Sequence, residues 1–138
     1  DARAVQAEMR RFAPHWLAGC QLREIWFEPT FHKHAGKLCN GLQIHVEDGN
    51  YNHAAFRPWR LQALALKAIR QLYPDYPLWR DFAYEYEHER LAIDLINGSP
   101  LLRDWVDDPS STPEELDTMA ASDEAAWATS CQAHLIYK

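Results

Sequence analysis

Residues 27–41 read FEPTFHKHAGKLCNG and place Pro29, Gly36 and Gly41 within fifteen positions. Proline fixes φ and removes a backbone donor, whereas glycine reaches backbone angles that other residues resist. Residues 20–27 before this stretch are rich in strand formers, and an alternating segment follows it. We therefore predict two strands joined by a shaped loop, and loops of this kind often hold ligands.

The segment after the loop alternates between apolar and polar residues. Leu42, Ile44 and Val46 alternate with Gln43, His45 and Glu47. Successive side chains of a strand point to opposite faces, so His45 is expected on the face opposite the core, beside Gln43 and Glu47. This polar face is available to a ligand.

Apolar residues also recur at helical spacing. A first helix is predicted to stop near residues 14–19 and to cover the sheet. The strongest helix begins at Arg57-Pro58, because proline is preorganised for the first helical position, and ends at Pro74. A short helix over residues 91–96 is closed by Asn97-Gly98, and the next one runs through Trp105.

Residues 112–115, TPEE, form a capping box that starts the last helix. Its buried side is predicted to carry Leu116, Met119, Ala120, Trp127 and Cys131. Residues 135–137 are interpreted as a tail strand or a docking segment.

Residues 82–87, FAYEYE, predict a further strand with Glu85 and Glu87 on one face and two tyrosines on the other. Same-face strand neighbours fall within the roughly 5–9.5 Å that separates glycosidase carboxylates. Glu85 and Glu87 are therefore the catalytic candidates. The alternative is a pair of exposed glutamates on an edge strand.

Two adjacent carboxylates need cationic neighbours to stay ionised in a shielded cleft. The cation-rich segments are the 27–41 loop and the start of the Arg57 helix. We therefore expect Glu85 or Glu87 within hydrogen-bonding reach of Lys33, His34 or Arg57.

The order helix, strand, strand, helix, strand, helices predicts an α+β domain with a small mixed or antiparallel sheet covered by several helices. The length of 138 residues fits a single domain spanning residues 1–138. A net charge of −6 without a basic cluster argues against nucleic acid, and no apolar run approaches the ~20 residues of a membrane span. Six Trp, six Tyr and five Phe fit stacking on sugars.

Metal-ligand residue types occur near the loop, namely His32, His34, His45 and Cys39. They lack the second ligand pair of zinc sites, so neither a metal nor a cofactor is expected. Cys20, Cys39 and Cys131 lack C-x-x-C spacing and are interpreted as buried or half-buried thiols, with one disulfide left open.

Residues 27–41, Arg57-Pro58, residues 84–87 and residues 93–99, in this order, resemble the C-terminal half of the NamZ-type exo-β-N-acetylmuramidases, a bacterial family. The resemblance covers nearly the whole chain. It implies a peptidoglycan-recycling glycoside hydrolase that releases N-acetylmuramic acid from the non-reducing end. It also implies a Rossmann-like N-terminal domain, a smaller C-terminal domain and an active cleft between them.

On this resemblance the chain is the C-terminal domain of a larger two-domain parent. The family's Gly-Pro-Glu-His-Gly motif, which supplies a catalytic glutamate in the N-terminal domain, does not occur in these 138 residues. The chain alone is therefore expected to be inactive. The implied partners are a muropeptide or muramic-acid-containing sugar and the N-terminal domain, and a secreted or periplasmic location is favoured.

The resemblance also implies roles for individual residues. Lys33 and Arg57 are expected to meet the lactyl carboxylate, and Tyr84 or Trp79 to stack on a pyranose. Glu85 or Glu87 would act as the second carboxylate or orient a basic side chain. The substrate-binding candidates are Lys33, His34, His45, Arg57, Trp79, Tyr84 and Asp94. A non-catalytic binding module for wall fragments and a structural lid domain are the alternatives.

Overall fold

The computed structural model describes residues 1–47 and 49–137 and confirms the predicted α+β class. Its two strands are β1 (Gln21–Phe27) and β2 (Cys39–His45). Its five α-helices are α1 (Ala2–Phe12), α2 (Pro58–Leu72), α3 (Ala92–Asn97), α4 (Leu101–Asp107) and α5 (Pro113–Ser130). Two 3₁₀ helices, Pro14–Leu17 and Cys131–His134, follow α1 and α5.

The core lies where α1, α2 and α4 meet. The carboxylate of Asp1 caps α1 by accepting hydrogen bonds from two backbone amides of its first turn. The buried apolar side chains include Val5, Met9, Trp16, Leu61, Leu64, Trp105, Val106 and Leu116. Burial of this continuous apolar surface is the main term that stabilises the domain.

The two strands form an antiparallel hairpin in a register that runs from Gln21 opposite His45 to Phe27 opposite Cys39. Helix α1 covers one face, as predicted, since the Ala2 amide donates to Asn40 Oδ1 at 2.6 Å and Gln6 Nε2 donates to the Leu22 carbonyl. His45 belongs to the other face, because strand side chains alternate. Helix α1 therefore supports the hairpin on one face, and α1 does not cover the face that carries His45.

The predicted strand over residues 82–87 is wrong. Tyr84 and Glu87 exchange both backbone hydrogen bonds with each other, at 3.1 and 3.0 Å, and close a two-residue turn. Glu85 occupies the first turn position with φ of 54°. A strand needs a partner edge along its length, and among the described residues this segment pairs only with itself.

Helix α5 begins at the predicted capping box, in which Thr112 accepts from the Glu115 amide. Leu116 and Ala120 are buried as expected, but Trp127 is 69% exposed, so its predicted burial is wrong. No strand forms over residues 135–137. Residues 125–137, named here the C-terminal arm, are exposed except for the half-buried Cys131. Trp127 continues the apolar spacing of α5, but it lies beyond the part of the helix that packs against the rest of the domain.

All three cysteines are free and half-buried, as the thiol interpretation predicted. No described helix has both the length and the apolar character that a membrane crossing requires.

Candidate functional site

The loop between β1 and β2 is shaped by its own backbone. The Gly36 amide donates to the Pro29 carbonyl at 2.9 Å, and the Lys37 amide donates to the His34 carbonyl at 3.0 Å. His32 and His34 both have positive φ, near 60°, which is uncommon for residues other than glycine. Lys33 and His34 are consequently displayed in solvent at the tip.

His45 lies at the other end of the hairpin from this loop. Six residue steps separate His45 from Cys39, the last paired residue before the loop, and at about 3.3 Å per residue this is about 20 Å. The His45 ring lies between Glu47 Oε1, at 2.5 Å from Nδ1, and Gln43 Oε1, at 3.2 Å from Nε2. The hydrogen bond with His45 lowers the pKa of Glu47. The predicted binding residues at the loop and at His45 are therefore not one site.

Arg57 belongs to the His45 end. The segment that leads into α2 is bonded to the start of the hairpin, since the Asn52 amide donates to the Gly19 carbonyl and Asn50 Nδ2 donates to Gln21 Oε1. Arg57 Nη1 donates to the Ala54 carbonyl at 2.8 Å and to the Phe56 carbonyl at 3.3 Å. Its guanidinium thus stabilises the approach to α2 while remaining exposed.

The two candidate carboxylates have different surroundings. Glu87 Oε1 accepts from the amides of His88 and Glu89, and Glu87 Oε2 accepts from both Nε and Nη2 of Arg90 at 2.9 and 2.7 Å. Glu85 is exposed at the tip of the turn. The predicted contact with Lys33, His34 or Arg57 is not found among the described residues. The cation that pairs with Glu87 is Arg90, three residues away, because the turn brings it within reach.

Asp94 and Trp79 are both engaged inside the domain. Arg103 Nε donates to both oxygens of Asp94, at 2.9 and 3.2 Å, and this hydrogen bond raises the pKa of Arg103. Trp79 Nε1 donates to Asp107 Oδ2 at 2.8 Å, and the Arg70 guanidinium lies 6.0 Å from the ring centroid. Asp94 therefore links α3 to α4, and Trp79 links the segment after α2 to the end of α4. The ring of Tyr84, by contrast, is 39% exposed at the turn.

An open groove of about 890 Å³ lies between α1, β2 and α2. Its walls are mostly apolar, with Val5, Met9, Leu42, Leu61 and Ile69 among them. None of the predicted site residues lines it. A second hollow, of about 320 Å³, lies between α2, α4 and α5 and includes Trp59. Sequence reasoning missed Trp59, because its neighbours come from elements far apart in the chain.

Within residues 1–47 and 49–137, no group of three or more His, Cys, Asp or Glu side chains is arranged to hold a metal ion.

Glu87 is expected to titrate far below an ordinary glutamate. Donation from the Glu89 amide, followed by the Arg90 guanidinium, lowers its pKa from 4.5 to about 2. A depressed folded-state pKa contributes stability above the unfolded value, and this contribution is lost as pH falls from 4.5 towards 2. Carboxyl-resolved NMR titration should show this midpoint, and Glu87→Gln should remove the corresponding pH dependence of unfolding.

Arg90→Gln is the informative companion variant for this titration. It should raise the Glu87 midpoint but leave it below the ordinary value, because the backbone donors remain. A midpoint near 4.5 in the unsubstituted protein would contradict the turn geometry.

The fold and these positions define a small α+β domain that displays a cationic loop and holds several of its carboxylates in ion pairs. The chain belongs to the family described as the C-terminal domain of the exo-β-N-acetylmuramidase NamZ, whose model matches residues 1–137. This finding confirms the resemblance seen in the sequence motifs.

A relative is the peptidoglycan β-N-acetylmuramidase NamZ of Bacillus subtilis (strain 168). It is 37% identical over 59 residues, which cover 43% of this chain and 13% of the relative. The match therefore spans only a small part of the relative's length. No solved structure matches the chain.

Proposed function

We propose that this chain is the C-terminal domain of a peptidoglycan-recycling exo-β-N-acetylmuramidase and forms one wall of a sugar-binding cleft. The observation that carries the proposal is the family match over residues 1–137. In this proposal the substrate is a muropeptide or another sugar with non-reducing-end N-acetylmuramic acid. Peptidoglycan lies outside the cytoplasmic membrane, so a secreted or periplasmic location is part of the same proposal.

The state of the carboxylates supports a shared cleft. A glycosidase of the usual kind needs two carboxyl groups on either side of the scissile bond. Asp94 and Glu87 are each bonded to an arginine, whereas Glu85 is exposed. We assign Glu85 as the carboxylate that this domain contributes, with the other supplied by the N-terminal domain. The bonding of Glu87 fits a role in orienting Arg90.

The exposed cations and aromatics support sugar binding. Lys33 and His34 extend from a loop whose backbone is held by internal hydrogen bonds, so little order must be gained on binding. A lysine ammonium forms charge-assisted bonds with a carboxylate, such as the lactyl group of muramic acid. The half-exposed ring of Tyr84 is available for stacking on a pyranose.

The C-terminal arm supports the presence of a partner domain. Trp127, Leu135, Ile136 and Tyr137 are all more than half exposed along this short segment. Contiguous exposed apolar surface commonly marks a protein interface. We propose that the N-terminal domain of the same protein packs against the arm.

The test uses the full-length protein that carries this domain and a chromogenic β-N-acetylmuramide. Glu85→Gln should lower kcat roughly 10²-fold or more, because a positioned acid or base contributes that much in the transition state. The unfolding midpoint should change little, since Glu85 is exposed. Glu89→Gln, a substitution at a nearby exposed glutamate, is the matched control and should keep full activity.

Equal activity of the Glu85→Gln and Glu89→Gln variants would contradict the assignment of Glu85.

A non-catalytic binding module is the second candidate function, favoured by the engagement of Asp94 and Glu87 in ion pairs. If this domain only binds substrate, the N-terminal domain alone should retain kcat, with only KM raised. If this domain supplies a catalytic carboxylate, the N-terminal domain alone should lose kcat.

A further inference from the structure

The 320 Å³ hollow has features of a built ligand site that the assignments above do not use. It lies where the start of α2, the α3–α4 junction and the middle of α5 meet. The residues that matter for binding are Trp59, Asn97, Leu101, Met119, Asp123 and Glu124. Its volume is at the lower end of the range of ligand pockets, which suits a single sugar ring.

Trp59 supplies an aromatic wall of the hollow, and a hydrogen bond fixes the orientation of its ring. Its indole Nε1 donates to Asn97 Oδ1 at 3.2 Å, so the ring orientation is set by a residue 38 positions away. The side chain nevertheless remains 37% exposed. A partly exposed ring in a fixed orientation can stack on the apolar face of a pyranose at a small entropic cost.

The wall of the hollow that α5 supplies is acidic. Arg60 Nη1 donates to Glu124 Oε1 at 2.6 Å, and this bond lowers the pKa of Glu124 and keeps it ionised. Among residues 1–47 and 49–137, no side chain or amide hydrogen-bonds to Glu124 Oε2, and the neighbouring Asp123 is exposed. Carboxylates accept hydrogen bonds from sugar hydroxyls.

The charge of this wall selects against anionic ligands. Arg60 is buried and bonded to both Asp117 and Glu124. Arg57 is near enough to contribute to the lowered pKa of Glu124, so two guanidinium charges face the three carboxylates of Asp117, Asp123 and Glu124 and the net charge stays negative. Asp123 and Glu124 would therefore repel a ligand carboxylate, and like-charge placement is an effective way to exclude a ligand.

We propose that this hollow binds a neutral N-acetylhexosamine and rejects the same sugar bearing a carboxylate. The pyranose face lies on Trp59, the hydroxyls donate to Asp123 and Glu124, and the acetamide methyl contacts Leu101 and Met119. None of the lining residues of the hollow belongs to the loop or the turn assigned to the cleft. Because its test uses the 138-residue chain and needs no hydrolysis, its failure is distinguishable from failure of the hydrolase proposal.

The test is titration of the 138-residue chain with N-acetylglucosamine or N-acetylmuramic acid while indole N–H signals are followed by NMR. N-acetylglucosamine should shift the Trp59 signal in a saturable way with Kd on the order of 1 mM, which is typical of weak binding. N-acetylmuramic acid should bind at least about tenfold more weakly. Glucose, which lacks the acetamide, should also bind more weakly than N-acetylglucosamine.

Three variants sharpen the result. Trp59→Ala should weaken binding of N-acetylglucosamine at least about tenfold, whereas Trp127→Ala, at another exposed tryptophan, should not change it. Asp123→Asn should narrow the gap between the two sugars, because it removes one repelling charge from an exposed position. If Trp59→Ala fails to fold, Trp59→Phe and Asp123→Asn carry the same test.

Three results would overturn the proposal. The first is no shift of the Trp59 signal with any sugar up to roughly 50 mM, a concentration well above the expected Kd. The second is equal affinity for the neutral and the acidic sugar. The third is unchanged affinity for N-acetylglucosamine in the Trp59 variants together with an unchanged difference between the two sugars in Asp123→Asn.

Discussion

Replacing Lys67 with methionine is expected to lower the free energy of unfolding by about 3 kcal/mol or more, because it removes four hydrogen bonds inside the fold and leaves the Val106 carbonyl without its donor. Lys67 is only 1% exposed. Its ammonium donates to the carbonyls of Trp105, Val106 and Asp108, at 3.1, 3.3 and 2.5 Å. It also donates to Ser111 Oγ at 2.7 Å.

These bonds join α2 to the end of α4 and the turn that follows it. The last carbonyls of a helix have no partner within the helix, and a cation is favourable at this end of the helix dipole. Burial lowers the pKa of Lys67, and the nearby carboxylates of Asp108 and Asp107 oppose this shift. The ammonium also lies 5.8 Å from the ring centroid of Phe12 and 5.3 Å from that of Trp105, within range of a cation–π interaction.

Urea unfolding followed by circular dichroism measures the Lys67→Met effect. Lys37→Met is the matched control, because Lys37 is exposed in the loop between β1 and β2 and should change stability by no more than about 0.5 kcal/mol. A loss for Lys67→Met as small as that of the control would show that the buried lysine does not hold α4 in place.

Gly19→Ala is expected to cost about 3 kcal/mol, because the position has neither conformational freedom nor space for a side chain. Gly19 has φ of +81°, and an added Cβ would lie 2.6 Å from the Asn52 carbonyl oxygen and 2.8 Å from the Phe56 amide nitrogen. Both are backbone atoms, so they cannot move aside as a flexible side chain would.

Gly98→Ala separates the two contributions to this loss. Gly98 has a similar φ of +84°, but nothing lies within 4 Å of an added Cβ, so only the left-handed strain of about 1 kcal/mol applies. Thermal unfolding of the two variants should therefore differ by about 2 kcal/mol. Equal losses would mean that the segment over Gly19 moves away readily, and that Arg57 is less firmly placed than its hydrogen bonds indicate.

Local signals predicted most of the secondary structure. Pro58 at the start of α2, the Thr112 capping box of α5 and the Gly98 end of α3 were all read correctly. The hairpin was also predicted, because its turn residues and its alternation lie within a short span. These features depend on each residue's own backbone preferences and on neighbours three or four positions away.

Alternation of side chains is not sufficient to define a strand at residues 82–87. A period of two is compatible with a strand, but the segment closes on itself through Tyr84 and Glu87. Glu87 is then bonded to Arg90 and to local amides. The prediction that Trp127 is buried was wrong for a related reason. Apolar spacing along a helix cannot show whether another element packs against that part of the helix.

The sequence by itself determined the α+β class, the helix boundaries set by proline and by caps, the shaped loop around Lys33 and His34, and the family of the chain. Only the tertiary structure decided which charged groups are free and which are paired. It placed Asp94 against Arg103 and buried Lys67 beneath α4, and it brought Trp59 and Asp123 to one hollow. The physical reason is that pairing and burial depend on contacts between residues distant in the chain, which local preferences do not encode.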